Sequence, residues 1–350
     1  MNANMITTLA DLLCYAKQMH ASDLHLSAGE KPRLRIDGDI MPIQTAVLSH
    51  DDIMRLLSEI INKKQLDELT QQKELDFSFE IVGLCRFRAN AFYQSRGISA
   101  VFRLIIDQIP HIDDLDPSNT FKKLCQLNQG LILITGATGS GKSTTLAAMI
   151  DYMNQHRPIH ILTIEDPIEF IHTSKIALIN QREIKKDTHD FEQALTSAMR
   201  EDPDVILIGE LRDLSSIRLA LRAAETGHLV LATLHTNNAP KAIDRIIDVF
   251  DAHEKNLIRS MISESLQAVI SQTLIPKING GRVAAFEIMM ATPAIRNLIR
   301  ENKVAQMRSA IQTGMSDGMM SFDGSLRQLL NQGLIDRQTA LSFANEPERL

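Results

Sequence analysis

The chain has 350 residues, with no tryptophan, three tyrosines, three cysteines and no excess of positive charge. Each shortage excludes something. Aromatic residues make up 4% of the sequence, which leaves few flat side chains for nucleic-acid bases to stack on. The formal net charge of -6 gives no overall attraction to phosphate backbones or anionic lipid. Nucleic acid is therefore not the expected partner. Cys14, Cys85 and Cys125 are odd in number, far apart and in no CxxC pair. That argues against a disulfide framework or a zinc knuckle and fits a reducing cytoplasm. No apolar run approaches the roughly 20 residues that cross a bilayer. The opening MNANMITTLADLLCYAKQ lacks a basic start and carries Asp11 inside its apolar stretch, which argues against a signal peptide. Membrane contact is expected only through partners. There is no internal repeat and no low-complexity tract.

What is present is 44% hydrophobic residues, enough for real cores in a chain whose length suggests two or more domains. Ile6, Leu9, Leu12, Leu13 and Ala16 recur at helical spacing, and alternation then takes over in DLHLSAG and PRLRIDGDI around an Asp37-Gly38 turn. A second helical stretch, DDIMRLLSEIINKKQLDEL, precedes the alternating segments DFSFEIVG, CRFRANAF and ISAVFRLI, so residues 1–108 form an expected α+β domain. IPHIDDLDPSN, 109 to 119, is rich in Pro, Asp and Asn and is expected to be a linker. From 120 to 350 the style changes. LILITG, IHILTIE, DVILIGE and HLVLATLH are short continuous apolar runs between helical segments, the pattern of parallel strands covered on both faces. Beyond residue 250, Leu257, Ile258, Met261, Ile262, Leu266, Val269 and Ile270 predict one helical stripe, with further helices near 293 to 312 and 322 to 344. The fold class expected is α/β, a doubly wound core with a helical C-terminal region behind a small α+β domain.

GATGSGKST, made of Gly136, Ala137, Thr138, Gly139, Ser140, Gly141, Lys142, Ser143 and Thr144, fits the phosphate-loop pattern GxxxxGK[ST] between a strand and a helix. Its glycines let backbone amides turn toward phosphates, and the helix N-terminus adds partial positive charge. Lys142 reaches the terminal phosphates, and Ser143 offers a hydroxyl to magnesium. ATP with Mg2+ is the expected ligand.

A loop of this kind needs acids for the metal and for water. TIEDPIEF supplies Glu165, Asp166 and Glu169 at the end of one strand, and DVILIGELRD supplies Glu210 at the end of another, where open parallel sheets place their ligands. Any one of these could be a solvated strand end or a helix cap. Together they point to Glu165 or Glu169 as water activator and to Glu210 as magnesium partner. TGHLVLATLHT brings His228 before a strand and His235 after it. A lone histidine there is more often a hydrogen-bonded structural residue. Two flanking one strand suggest a sensor of the terminal phosphate, with His235 the better candidate.

The order GATGSGKST, TIEDPIEF, GELRD, AETGHLVLATLHT resembles the secretion ATPase superfamily, with its Walker A loop, acidic box, Walker B strand and histidine box. SESLQAVISQTLIP, AIRNLIRE (294 to 301), KVAQMRSAIQTG, ASDLHLSAG and RIDGD resemble the retraction ATPases of type IV pili within it. The resemblance covers essentially the whole chain. It implies a PAS-like N-terminal domain, a RecA-like ATPase domain, and a homo-hexameric cytoplasmic ring at the inner face of the inner membrane. That ring would act on the pilus platform protein, with a paralogous retraction ATPase as a further partner. It also implies ATP bound between subunits with arginines from the N-terminal domain reaching it, and CRFRANAFYQSRG matches that segment. Arg86, Arg88 and Arg96 are thus candidates, with Arg103 a fourth, although each could be charge on a solvated sheet face. AIRNLIRE is associated in the family with retraction rather than hydrolysis; by periodicity it is simply an amphipathic helix, with Ile295, Leu298 and Ile299 on one face. Ala137 stands where the family usually has Pro, and Phe286 where it often has His. The function implied is an ATP-hydrolysing motor for pilus retraction. An accessory retraction paralogue or a type II secretion or assembly ATPase is the alternative within the superfamily, and a nucleic-acid translocase the alternative outside it.

Overall fold

Thr8 accepts a hydrogen bond from the Asp11 amide while the Asp11 carboxylate accepts one from the Thr8 amide, a reciprocal cap that starts α1 (Leu9–Gln18). Asp11 is thus a helix-starting residue. The computed structural model describes residues 8–36, 38–105, 109–116 and 118–350; Ile6 and Asp37, used in the reading of the first helix and first hairpin, lie outside them. The chain divides into two units, Met1–Gln108 and Ile109–Leu350.

In the first unit, α1 leads to β1 (Asp23–Ser27), β2 (Arg33–Ile36), β3 (Asp39–Pro42), α2 (His50–Ser58), α3 (Lys63–Gln72), β4 (Glu74–Ile81), β5 (Cys85–Gln94) and β6 (Gly97–Ile105). The strands form one antiparallel sheet in the order β3-β2-β1-β6-β5-β4. Alternation decides its two faces. Leu24, Leu26, Phe87, Ala89, Ala91, Ile98, Ala100 and Phe102 are buried together with Leu9, Leu13, Ile53, Leu57 and Leu69 from the three helices. The other face carries Asp23, Arg35, Arg88 and Arg103. The single helical stretch expected over 51 to 69 is two helices, because Asn62 and Gln65 cap each other's backbone and restart the chain.

The second unit begins in the stretch expected to be a linker. There α4 (Ile112–Leu115) makes one turn, and Ile112 is buried in this unit's core. Then follow α5 (Thr120–Leu124), β7 (Gly130–Thr135), α6 (Lys142–His156), β8 (His160–Glu165), β9 (Leu178–Glu183), α7 (Phe191–Ala198), β10 (Val205–Ile208), α8 (Leu214–Glu225), β11 (Leu229–Leu234), α9 (Ala239–Asp248), α10 (Lys255–Ser265), β12 (Leu266–Pro276), β13 (Arg282–Met290), α11 (Pro293–Arg300), α12 (Val304–Thr313), α13 (Phe322–Asn331) and α14 (Arg337–Phe343). Seven strands lie in the order β13-β12-β7-β11-β10-β8-β9, parallel except for β13. The apolar strands serve two cores at once. Leu131 and Leu133 face α7 to α12, while Ile132 and Ile134 face α5 and α6, as a doubly wound sheet requires.

A further expectation is corrected. The stripe from Leu257 to Ile270 is not one helix: α10 ends at Ser265, and Leu266, Val269 and Ile270 belong to β12. Pairing decides it, since β12 lies beside β7 on one edge and β13 on the other. Val269 is buried in one core and Ala268 and Ile270 in the other. Helix and buried strand give the same apolar run at this length. Among the described residues no helix is long and apolar enough to cross a membrane.

Candidate nucleotide site

Parallel pairing brings the four motifs to one end of one sheet. Leu234 lies beside Thr135, and Ile208 beside both Ala232 and Ile164, so the segments after β7, β8, β10 and β11 leave the sheet together. Gly136 to Gly141 join β7 to α6, and Lys142 is the first residue of that 15-residue helix. Ala137, Thr138 and Gly139 are the exposed crest, whereas Ser140 and Lys142 are buried. Lys142 Nζ donates to the carbonyl oxygens of Gly136 (2.8 Å) and Ala137 (2.9 Å). Burial holds its ammonium below the ordinary range, and the charges of Glu210 and Glu169 oppose that shift.

This loop fits a phosphate chain. Gly139 has φ +76 and open space where a side chain would stand, and the buried Ser140 hydroxyl has no protein partner. Both lie within three residues before the first residue of α6, and the orphan amides of a helix N-terminus favour anions. Ser143 and Thr144 are half-buried in the first turn of α6. With Glu210, Ser143 gives oxygen donors of the kind a hard divalent cation takes.

Glu165 ends β8, and its carboxyl accepts from Thr163 Oγ1 (2.6 Å) and Gln181 Nε2 (3.3 Å). Burial pushes it up to about 7 against those two hydrogen bonds, and the neighbouring Glu169 charge adds to the rise. Asp166 and Glu169 are exposed in the following turn, where the Asp166-Pro167 bond is cis. Glu210 is held from two sides: Oε2 lies 2.7 Å from Arg212 Nε, and Oε1 lies 3.2 Å from His235 Nε2. Arg212 also reaches toward Asp166 (3.9 Å), linking the segment after β8 to the one after β10. Gly209 permits this approach, since a methyl group on it would lie 3.3 Å from the Glu165 Cα.

His228 is not brought there. It precedes β11 at the opposite end of the sheet, where its carbonyl accepts from the Gly130 amide (3.0 Å) and its Nδ1 lies 3.0 Å from the Ala223 carbonyl in the last turn of α8. Within the chain it serves the turn between α8 and β11. A parallel strand separates its two ends by its own length, so only one flanking histidine meets the loop.

The four arginines belong to the first unit, and each has a partner inside it. Arg86 is buried with Nη2 3.4 Å from Ser78 Oγ. Arg88 pairs with Asp76 (2.8 Å), Arg96 with Glu30 (2.9 Å) and Arg103 with Asp23 (2.9 Å). Arg88, Arg96 and Arg103 remain at least partly open to solvent.

Several residues around the site carry no motif. Gln181 of β9 holds Glu165 and also donates to the Phe170 carbonyl (2.8 Å). Gln272 of β12 accepts from Thr145 Oγ1 (2.7 Å). The buried Glu287 of β13 accepts from the Ala239 amide (2.8 Å) at the start of α9, four residues after His235. All three sit on strands that local apolar pattern does not announce.

The profile of the Type II/IV secretion system protein family matches residues 2–280. The chain is 57% identical over 340 residues to the type IV pilus retractation ATPase PilT of Pseudomonas aeruginosa, covering 97% of this chain and 99% of that one. It is 39% identical to the type IV pilus ATPase PilU of the same organism over 94% of this chain and 86% of the relative. Among solved structures it is similar to the pilus retraction motor PilT with bound ADP, with a TM-score of 0.90, 44% identity and 98% of each chain covered.

Proposed function

The chain belongs to the Type II/IV secretion system protein family, and on that premise we propose that it is an ATP-hydrolysing motor that powers type IV pilus retraction. One observation carries the reading: the phosphate loop, Glu165, Glu210 and His235 gather at one end of one sheet, in a chain similar along nearly its whole length to a pilus retraction ATPase.

ATP is the substrate. The amides of 136 to 144 and the Lys142 ammonium bind and orient its phosphates. Glu165, whose carboxyl titrates near neutral pH, takes a proton from the attacking water. That water bonds to the terminal phosphorus, the bond to the bridging oxygen breaks, and ADP and inorganic phosphate result. Ser143 and Glu210 would hold magnesium, which supplies charge neutralisation at the phosphates when bound. His235 fixes the orientation of the Glu210 carboxylate.

The working form is a hexameric ring in the cytoplasm, against the inner face of the inner membrane through the pilus platform. The first unit is PAS-like and the second RecA-like. Arginines from among Arg86, Arg88, Arg96 and Arg103 reach the nucleotide of a neighbouring copy, and where Arg88, Arg96 or Arg103 does so its pair with Asp76, Glu30 or Asp23 must exchange; permanently charged guanidinium forks suit phosphate oxygens. Turnover moves one unit against the next copy's core, and that motion withdraws pilin from the fibre. Purified chain with ATP and magnesium should assemble into a six-membered ring and release phosphate, and a monomer inert toward ATP contradicts the proposal.

A further inference from the structure

Two of the three glycines in the phosphate loop lie against one residue of a distant strand, Gln272. A methyl group on Gly136 would stand 2.4 Å from the backbone oxygen of Gln272, and one on Gly141 would stand 2.8 Å from its side-chain nitrogen. Only Gly139 faces open space. Both positions have positive φ, +145 and +89, which favours glycine at each, and at Gly136 the backbone contact demands it a second time. Gln272 lies on β12, one residue past the pairing of Ser271 with Thr135. Its backbone therefore passes the first residue of the loop, and its amide nitrogen passes the last. Its Oε1 accepts from Thr145 Oγ1 at 2.7 Å, across 127 residues of sequence. Both side chains are buried, Gln272 at 2% exposure and Thr145 at 0%.

We propose that Gln272 is a positioning residue for ATP. With Thr145 it ties the strand before the phosphate loop, the helix after it and the adjacent strand β12 into a closed frame, and so sets the separation of the loop's two ends. The proposal rests on the ATPase reading above. A buried amide fits this task better than an apolar side chain of equal length. One end receives a directed hydrogen bond, which an alkyl group would leave unmade with a buried hydroxyl orphaned. A shift of about 1 Å in a phosphate-binding frame is enough to cost up to roughly 10²-fold in turnover efficiency.

The test is steady-state ATP turnover of the full chain with Thr145→Val, Thr145→Ser, Gln272→Leu and the Thr145→Val/Gln272→Leu double variant, alongside thermal unfolding without nucleotide. Thr145→Val and Gln272→Leu should each raise KM for ATP on the order of tenfold, and the double variant should be no worse than either single one, because both remove one bond. Thr145→Ser, which keeps the hydroxyl, should restore the wild-type KM. Thr145→Val with unchanged KM and kcat but a lowered unfolding midpoint would overturn the proposal and leave a bond of the fold alone. If Gln272→Leu does not fold, the Thr145 pair decides. If wild-type chain turns over no ATP, the activity itself fails, and ADP affinity of the same variants still decides the frame.

Discussion

Glu210 Oε1 and His235 Nε2 lie 3.2 Å apart, joining the ends of two neighbouring strands, while Arg212 holds the other oxygen of the same carboxylate at 2.7 Å. The acid after β10 thus has its direction set from two sides. His235→Ala should leave ATP affinity within a few-fold and lower turnover by roughly 10²-fold, the scale of a misdirected catalytic group. Phosphate release measured beside nucleotide binding separates the two effects. Unchanged turnover would remove His235 from the site.

Lys142 is buried on its own loop with Glu210 and Glu169 acting on it. Lys142→Ala removes the one cation of the loop and should weaken ATP binding by more than about tenfold, as expected for charge-assisted phosphate contacts. Titration with a fluorescent nucleotide would show it, and wild-type affinity would refute it.

The Glu165 carboxyl sits at about 7 in the folded chain against an ordinary 4.5. As a base it works only when ionised, so turnover should rise as pH climbs through about 7. Stability runs the other way. Between pH 4.5 and 7 the folded chain retains a proton that the unfolded chain has lost, so this group's contribution is complete below pH 4.5 and is lost as pH rises through 7. Glu165→Gln should lower kcat by about 10²- to 10⁴-fold and flatten the fall of the unfolding midpoint over that window. A variant that keeps both the rate and the wild-type stability profile would dismiss Glu165 as the base.

In the AIRNLIRE segment, Arg296 Nη1 donates to the carbonyls of Ser263 (2.6 Å) and Glu264 (2.9 Å), closing the end of α10 just before β12. Ile295 and Ile299 are buried, and Leu298 packs partly against the same core. Arg296→Ala should cost about 1–2 kcal/mol, measured by denaturant unfolding, while retaining ATP turnover and losing pilus retraction. Loss of turnover in a folded variant would place the segment in hydrolysis instead.

Much of this is legible in the sequence, and each exception has a physical cause. The phosphate loop, its flanking strand and helix, and the strands ending at Glu165, Glu210 and His235 announce themselves through short apolar runs closed by polar residues. β12 does not, because Leu257 to Ile270 is apolar at a spacing that suits a helix or a strand buried on both faces, and only the pairing with β7 decides. With β12 and β13 hidden, Gln272 and Glu287 could not be placed beside the loop or the His235 segment. β9 was hidden for another reason: LINQRE alternates weakly, and Gln181 points to Glu165 only once the strand is laid beside β8. His228 shows the reverse error, in which closeness in sequence to His235 hides a full strand between them.

The claim that matters most is that ATP turnover here drives retraction rather than assembly. Deleting the gene from its own cell and counting surface pili alongside twitching motility tests it directly. Excess fibres on non-motile cells, restored by wild-type chain and not by Lys142→Ala, is the predicted result, whereas cells without pili would contradict it.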